Sequence, residues 1–163
     1  MDSDWSSHLM KNQLLLLALA ATLGWSQLAT RKTLTLDAAK KIAAAAAEEA
    51  KKNNWNVVIS IVDEGANLIY LEKIDGTQIG SIEIAQMKAR TAIKMKRPSK
   101  AFEDMIAGGR TAVIKLPDVL GVEGGLPLVV DGQFLGAIGV SGVTSQQDGQ
   151  IAAAGAKALE SLK

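Results

Sequence analysis

Cysteine is absent from the 163-residue chain, and histidine occurs once, at His8. The first absence excludes disulfides, thiol catalysis and cysteine-based zinc sites. The second leaves everything beyond the N-terminal stretch without an imidazole for general-base work or iron ligation. Aromatic residues are 4% of the chain against 48% hydrophobic residues overall, so the core must be built from Ala, Val, Ile and Leu. Small core residues let backbones approach closely. Neither sign of charge dominates: 18 Lys plus Arg face 17 Asp plus Glu, for a formal net charge of +1. The concentrated basic face that nucleic-acid binding requires is missing. There is no Walker loop, no nucleophile elbow and no metal-binding histidine cluster. Gly136, Gly139 and Gly142 are spaced by three but lie within a strand pattern, which is not a dinucleotide fingerprint. The length predicts one domain.

The first thirty residues differ from the rest. Lys11 precedes an apolar run from Leu14 to about Trp25, and small and polar residues follow. That order matches a secretory leader, with a positive start, a short apolar stretch and a small-residue cleavage site at Gly24-Trp25-Ser26 or Gln27-Leu28-Ala29. The run falls short of the roughly 20 residues that span a bilayer. The competing reading is an amphipathic or buried N-terminal helix. The expected organisation is a leader over residues 1–29 and a single domain over residues 30–163. After leader removal the protein is expected to be periplasmic or secreted and not integral to a membrane. Residues 1–9, acidic ahead of the positive start, read as an upstream start assigned too early or a vector-derived remnant.

Beyond the leader, Thr35 can cap a helix beginning at Leu36, with Asp37 in its first turn. Ala39, Ile42, Ala43, Ala46 and Ala50 fall on one face of it. Residues 56–62 and 68–72 are strand-like around the turn Asp63–Asn67. Residues 79–96 have helical period, with Ile82, Ala85, Ala89, Ala92 and Ile93 as the apolar stripe and Ile84, Lys88, Thr91 and Met95 on a second face. Pro98 ends that helix. The cluster Lys94, Lys96, Arg97 and Lys100 at its end complements the helix dipole. Residues 101–107 read as a short helix closed by Gly108-Gly109. Residues 110–123 stay undecided, with Pro117 arguing against a central strand. A second hairpin turns at Asp131-Gly132 between apolar runs. An alanine-rich helix runs from about Ser145 to Leu162. Two hairpins and about four helices without βαβ alternation indicate an α+β fold, an antiparallel sheet covered by helices.

The second hairpin, GGLPLVVDGQFLGAIGVSG over residues 124–142, holds six glycines. Strict alternation puts Phe134, Gly136, Ile138 and Val140 on one face and Leu135, Ala137, Gly139 and Ser141 on the other. The second face shrinks into a trough, to be filled by a helix backbone or by a ligand. Antiparallel pairing brings Gly124-Gly125 near Ser141-Gly142, where backbone N–H groups and the start of the last helix could receive an anion.

The stretches DEGANLIYLEKIDG, AQMKARTA, GGLPLVVDGQFLGAIGVSG and SQQDGQIAAAGAKAL, in that order, resemble the GlcG/HbpS family of haem-binding proteins, which is related to the C-terminal domain of PduO-type corrinoid adenosyltransferases. The resemblance covers residues 33–162. It implies a five-stranded antiparallel sheet flanked by helices, a homo-oligomer from dimer to octamer, and haem or a related tetrapyrrole as ligand. Carried over position by position, the ligand-binding candidates are Lys88, Thr91, Gly124, Gly125, Ser141 and Asp148. Where many relatives have histidine after the first hairpin turn, this chain has Asn67. Met87, Met95, Met105 and Tyr70 remain as iron donors, each read first as core or surface. Two other functions stay open: an enzyme or binder acting on a small carboxylate, with Lys88 for charge and Asp148 as base, and a structural or signalling partner without a pocket.

Overall fold

The structure, a computed structural model, describes residues 28–162. The expected leader lies outside these residues except for its last two positions. The second of the chain's two compact units spans Lys32–Lys163.

Helix α1 spans Leu36–Lys52. It starts there because Thr35 stays extended and its hydroxyl accepts the Ala38 N–H, satisfying a donor that has no partner within the helix. Asn54 then turns the chain with φ of 55°, a left-handed conformation that asparagine tolerates. Strands β1 (Val58–Asp63) and β2 (Leu68–Lys73) form the first hairpin. Strands β3 (Gly125–Val130) and β4 (Gln133–Ser141) form the second. Its turn residues Asp131 and Gly132 both have positive φ, 49° and 75°, as a two-residue hairpin loop that follows the strand twist demands.

The strand order is β2-β1-β4-β3, antiparallel throughout. The α+β class holds, but the fifth strand implied by the family resemblance does not: the sheet among the described residues has four strands. The undecided segment 110–123 supplies none. It makes a 3-10 turn over Thr111–Lys115, after which Pro117 and the positive φ of Asp118, 59°, interrupt any extended run. Strand β3 begins earlier than its apolar run suggests and passes through Pro127. An edge strand accepts a residue that has no N–H to donate.

Helix α2 (Ser81–Lys94) covers one face of the sheet, and α1 and α4 (Ser145–Ala158) cover the other. Thr144 and Gln147 start α4 with a reciprocal capping box. A 3-10 turn over Leu159–Leu162 ends it. Helix α3 (Lys100–Ala107) packs against the 3-10 turn at 111–115.

Strict alternation fails in both hairpins, between Ile61 and Val62 in the first and in β4 in the second. Val129 pairs with Phe134 and Leu128 with Gly136, so β4 carries an extra residue, Leu135, in a β-bulge. The bulge exchanges two side chains relative to the simple pattern. Phe134 packs with Val62, Ala89 and Ala137 beneath α2, while Leu135 joins Ile138 and Val140 beneath α1 and α4.

The trough is filled by α2. A Cβ on Gly139 would collide with the Ala85 carbonyl and the Ala89 nitrogen, and one on Gly125 with the Lys88 carbonyl. These glycines exist so that a helix backbone can lie directly on a strand backbone.

Candidate functional site

The six candidate residues are all buried. Lys88 lies on the same inward stripe of α2 as Ala85, Ala89 and Ala92. Its ammonium meets Asp148 Oδ2 at 2.7 Å, and the two side chains are 2% and 3% exposed. Asp148 sits one turn into α4 on the stripe that continues with Ile151, Ala152 and Gly155. The Val143 N–H donates to its other oxygen at 3.2 Å, and the Gly142 backbone N–H adds a further bond. Burial pushes the Asp148 carboxyl above the usual carboxylate range, against the pull of Lys88 and these two N–H groups. The two N–H groups on Asp148 offset part of the cost of burying the pair.

Gly124 completes the enclosure. Its φ of 125° and its space leave no room for a side chain, since a Cβ would stand 2.9 Å from Lys88 Nζ and from Asp148 Cβ. Gly125 is stitched in place by Ser99, whose hydroxyl accepts the Gly125 N–H at 2.9 Å and donates to the Val122 carbonyl at 2.6 Å. Thr91 holds the segment leading into this region: it donates to the Asp118 carbonyl at 3.1 Å and accepts the Leu120 N–H at 2.8 Å. Ser141 is placed differently. Its hydroxyl lies 3.3 Å from that of Ser81 at the start of α2. Ser81 and Ser99 were not legible as site residues, because an isolated serine next to a helix start is most simply a cap.

The structure therefore brings Lys88, Gly124, Gly125 and Asp148 together, while Thr91 of α2 holds the loop that leads into Gly124. The result is a closed polar lock. Both charges are neutralised by each other and shielded from water, so neither is free to bind an anion or move a proton while the pair is shut.

Open space lies elsewhere. One cleft of about 190 Å³, between the end of α2, α3 and the 3-10 turn, is lined by Met95, Arg97, Phe102, Met105, Arg110, Val113 and Leu116. A second, of about 350 Å³, is mostly apolar, with Leu34, Val130, Leu135, Leu159 and Leu162 in its wall and Lys32 at its rim. A third, of about 310 Å³, is lined by Lys51, Trp55 and Glu72 among others. None of the six candidates lines any of these three.

The remaining donors are sorted by the same geometry. Asn67 is tied back to Asp63: its backbone N–H donates to Oδ1 at 2.8 Å and its side-chain amide reaches both carboxylate oxygens at 3.2 Å. Tyr70 donates its hydroxyl proton to Glu72 at 3.0 Å, and that carboxylate holds the phenol above the usual tyrosine value. Met87 is 43% exposed on α2. Met95 and Met105 share a cleft. The cationic cluster is mostly spoken for: Lys94 pairs with Asp118 and Lys100 with Asp104, each at 2.6 Å, while Lys96 lies over the Phe134 ring and Arg97 over Phe102. Among the described residues no group of three or more His, Cys, Asp or Glu side chains could hold a metal ion, and no helix is long and apolar enough to cross a membrane.

Comparison with known proteins identifies relatives of the chain. The family described as haem degrading protein HbpS-like matches residues 34–157. Protein GlcG of Escherichia coli strain K12 is 45% identical over 112 residues, which is 69% of this chain and 84% of GlcG. A double-mutant form of HbpS from Streptomyces reticuli superposes with a TM-score of 0.74 at 33% identity, covering 82% of this chain and 91% of that one. PduOC in complex with haem superposes with a TM-score of 0.71 at 28% identity, over 78% of this chain and 95% of that one.

Proposed function

We infer that this chain, which belongs to the HbpS-like family, is a binding protein for haem or a closely related tetrapyrrole. The observation that carries the reading is the likeness, across nearly the whole compact unit, to a relative solved with haem bound. The chain's own surface is compatible. Haem offers an apolar plate, an iron and two carboxylates. The cleft beside α3 offers apolar wall from Phe102, Val113 and Leu116, the thioethers of Met95 and Met105, and the guanidiniums of Arg97 and Arg110 for carboxylates. Arginine suits such carboxylates because its planar fork can donate two hydrogen bonds to one group. Its size admits one edge of a macrocycle, leaving the rest to solvent or to a second copy of the chain.

The leader-like order of residues 10–29 supports a periplasmic or secreted site of action. Ile79, in the turn before α2, and Ile114, in the 3-10 turn, are exposed at 81% and 62% and offer apolar contacts to a second copy of the chain in a homo-oligomer. The polar lock of Lys88, Thr91, Gly124, Gly125 and Asp148 then serves to fix α2 and α4 on the sheet, and with them the elements that frame the α3 cleft. A small carboxylate finds less support, since the ammonium that would receive it is bound to Asp148.

Haemin titration of the full chain tests the reading. A saturable shift of the Soret band near one equivalent per chain is expected, weakened several-fold and made less salt-sensitive by Arg97→Ala with Arg110→Ala. A spectrum that only tracks free haemin, with no saturation, overturns it.

A further inference from the structure

We propose that the free edge of β2 and the cleft beside Trp55 form one groove for an extended peptide segment, which adds to the sheet as a further strand and sets an apolar side chain and a carboxylate into the cleft. This site goes beyond the haem reading and does not depend on it.

The first observation is an open ladder. Strand β2 ends the sheet, and its outer edge pairs with no strand among the described residues. The Ile74 N–H donates to the Val57 carbonyl at 3.0 Å. Alternation along the β1–β2 register therefore turns the main-chain groups of Glu72 and Tyr70 toward β1 as well, and those of Leu71 and Lys73 away from it. Outward groups of this kind are a template for another chain unless the edge is blocked. The opposite rim carries Pro127, whereas β2 has no proline. In the bulge of the first hairpin Ile61 pairs with Tyr70 and Val62 with Leu68, so the regular ladder is limited to residues 70–73. That length suits a short peptide better than a long sheet shared by two copies.

The second observation is what lies beside that edge. The cleft of about 310 Å³ is lined by Glu72 and Ile74 from the strand side, by Ala47 and Lys51 of α1, and by Trp55 from the loop that joins α1 to β1. Glu72 and Ile74 are two residues apart and so share a face. Ala47, Trp55 and Ile74 are half-buried and packed on the core, so this part of the wall is fixed yet reachable. A strand laid along residues 70–73 sends alternate side chains to that face, where the cleft receives them, while main-chain bonds hold the rest. Lys51 and Lys73 are exposed and have no ion-pair partner among the described residues. Glu72 already accepts the Tyr70 hydroxyl at 3.0 Å. Free cations beside a hydrogen-bonded carboxylate favour a segment that brings a carboxylate of its own.

The test uses the haem-free full chain. A displayed library of random heptapeptides is panned against it, and the recovered peptides are synthesised with a fluorescent label. They are expected to share an apolar residue and an acid and to bind saturably by fluorescence anisotropy. Leu71→Pro removes an outward N–H and spares those that face β1, and it should weaken binding about tenfold or more; circular dichroism checks that it folds. Trp55→Ala should also weaken binding, and Lys51→Ala should do so several-fold while lowering its salt sensitivity. Methylating alternate main-chain nitrogens of the peptide leaves the protein untouched: one alternate set should abolish binding and the other should not. The proposal is overturned if no peptide is recovered, or if binding ignores both Leu71→Pro and peptide methylation. It is overturned as well if Leu71→Pro dissociates an oligomer of the full chain, because a second copy is then the occupant of the edge. Each of these outcomes leaves the haem reading to its own titration.

Discussion

Toward α1 and α4 the sheet presents Ile59, Ile61, Leu128, Ile138 and Val140. Toward α2, around the centre of β4, it presents Ala137, Gly139 and Ser141, with Ser60 of β1 paired opposite Gly139. The first face is buried by side chains that interlock with Ile42, Ala46 and Ile151. The second is buried by backbone lying on backbone. The contrast teaches what close approach costs and permits. Interlocking aliphatic side chains keep polar groups out and tolerate small adjustments, because side-chain ends can move. Backbone contact removes that tolerance, and it draws serines, a threonine, a lysine and an aspartate into the interior. All must then find partners there. Ser60 Oγ has no hydrogen-bond partner at all in the structure.

Separating the charges breaks this comparison most severely. Lys88→Met keeps the stem that packs under the sheet but leaves Asp148 as a buried, unmatched acid, and an expected loss of about 3–5 kcal/mol follows. Its pH dependence has a definite sign. Burial already raises Asp148 above 3.8, and removing the ammonium raises it further. Between its unfolded-state value and that raised folded-state value, the folded variant binds more proton than the unfolded chain. The variant's stability therefore falls as pH rises through that window. Urea unfolding from pH 4 to 7 should show a deficit that is greatest near neutrality and shrinks on acidification. A deficit independent of pH would mean that the carboxyl is not the source of the loss.

The next largest effect separates the two modes of burial. Gly139→Ala sets a methyl against the Ala85 carbonyl and the Ala89 nitrogen, neither of which can yield without moving α2. Overpacking of this kind costs about 1–3 kcal/mol or somewhat more, read as a lowered unfolding midpoint. On the other face, Gly155→Ala meets first the flexible end of Ile138, whose Cδ1 would be 2.6 Å away. Adding Ile138→Val to Gly155→Ala should restore part of the loss, whereas no neighbouring side-chain truncation should rescue Gly139→Ala. The smallest effect is Ile138→Val alone, about 0.5–1.5 kcal/mol. If Gly139→Ala proves as mild as that, the sheet and α2 are less tightly apposed than described.

The capped start of α1, the start of α4 near Ser145, the Asp131-Gly132 turn and the alanine stripes were legible because each is a local pattern: one cap, one turn or one helical period. The bulge at Leu135 was not, since an inserted residue leaves the apolar sequence unchanged and only the partner strand reveals the miscount. Lys88 and Asp148 carried a signal that simple hydrophobicity hides. Each lies at helical spacing from buried small residues, Lys88 with Ala85 and Ala92, Asp148 with Ile151 and Ala152. Opposite charges on two buried stripes anticipate a pair. The α3 cleft was not legible, because it joins the end of one helix to a segment, residues 110–116, whose irregular conformation has no periodic signature.

Pro127 has a consequence for assembly. Strand β3 is one rim of the sheet, and a proline there withholds the donor that an incoming strand would need. A sheet running continuously from one subunit to the next is discouraged along that rim. Copies of the chain that meet on that side must do so through side chains, which makes such an association sensitive to surface substitutions and leaves the hydrogen-bonding ladder of each subunit self-contained.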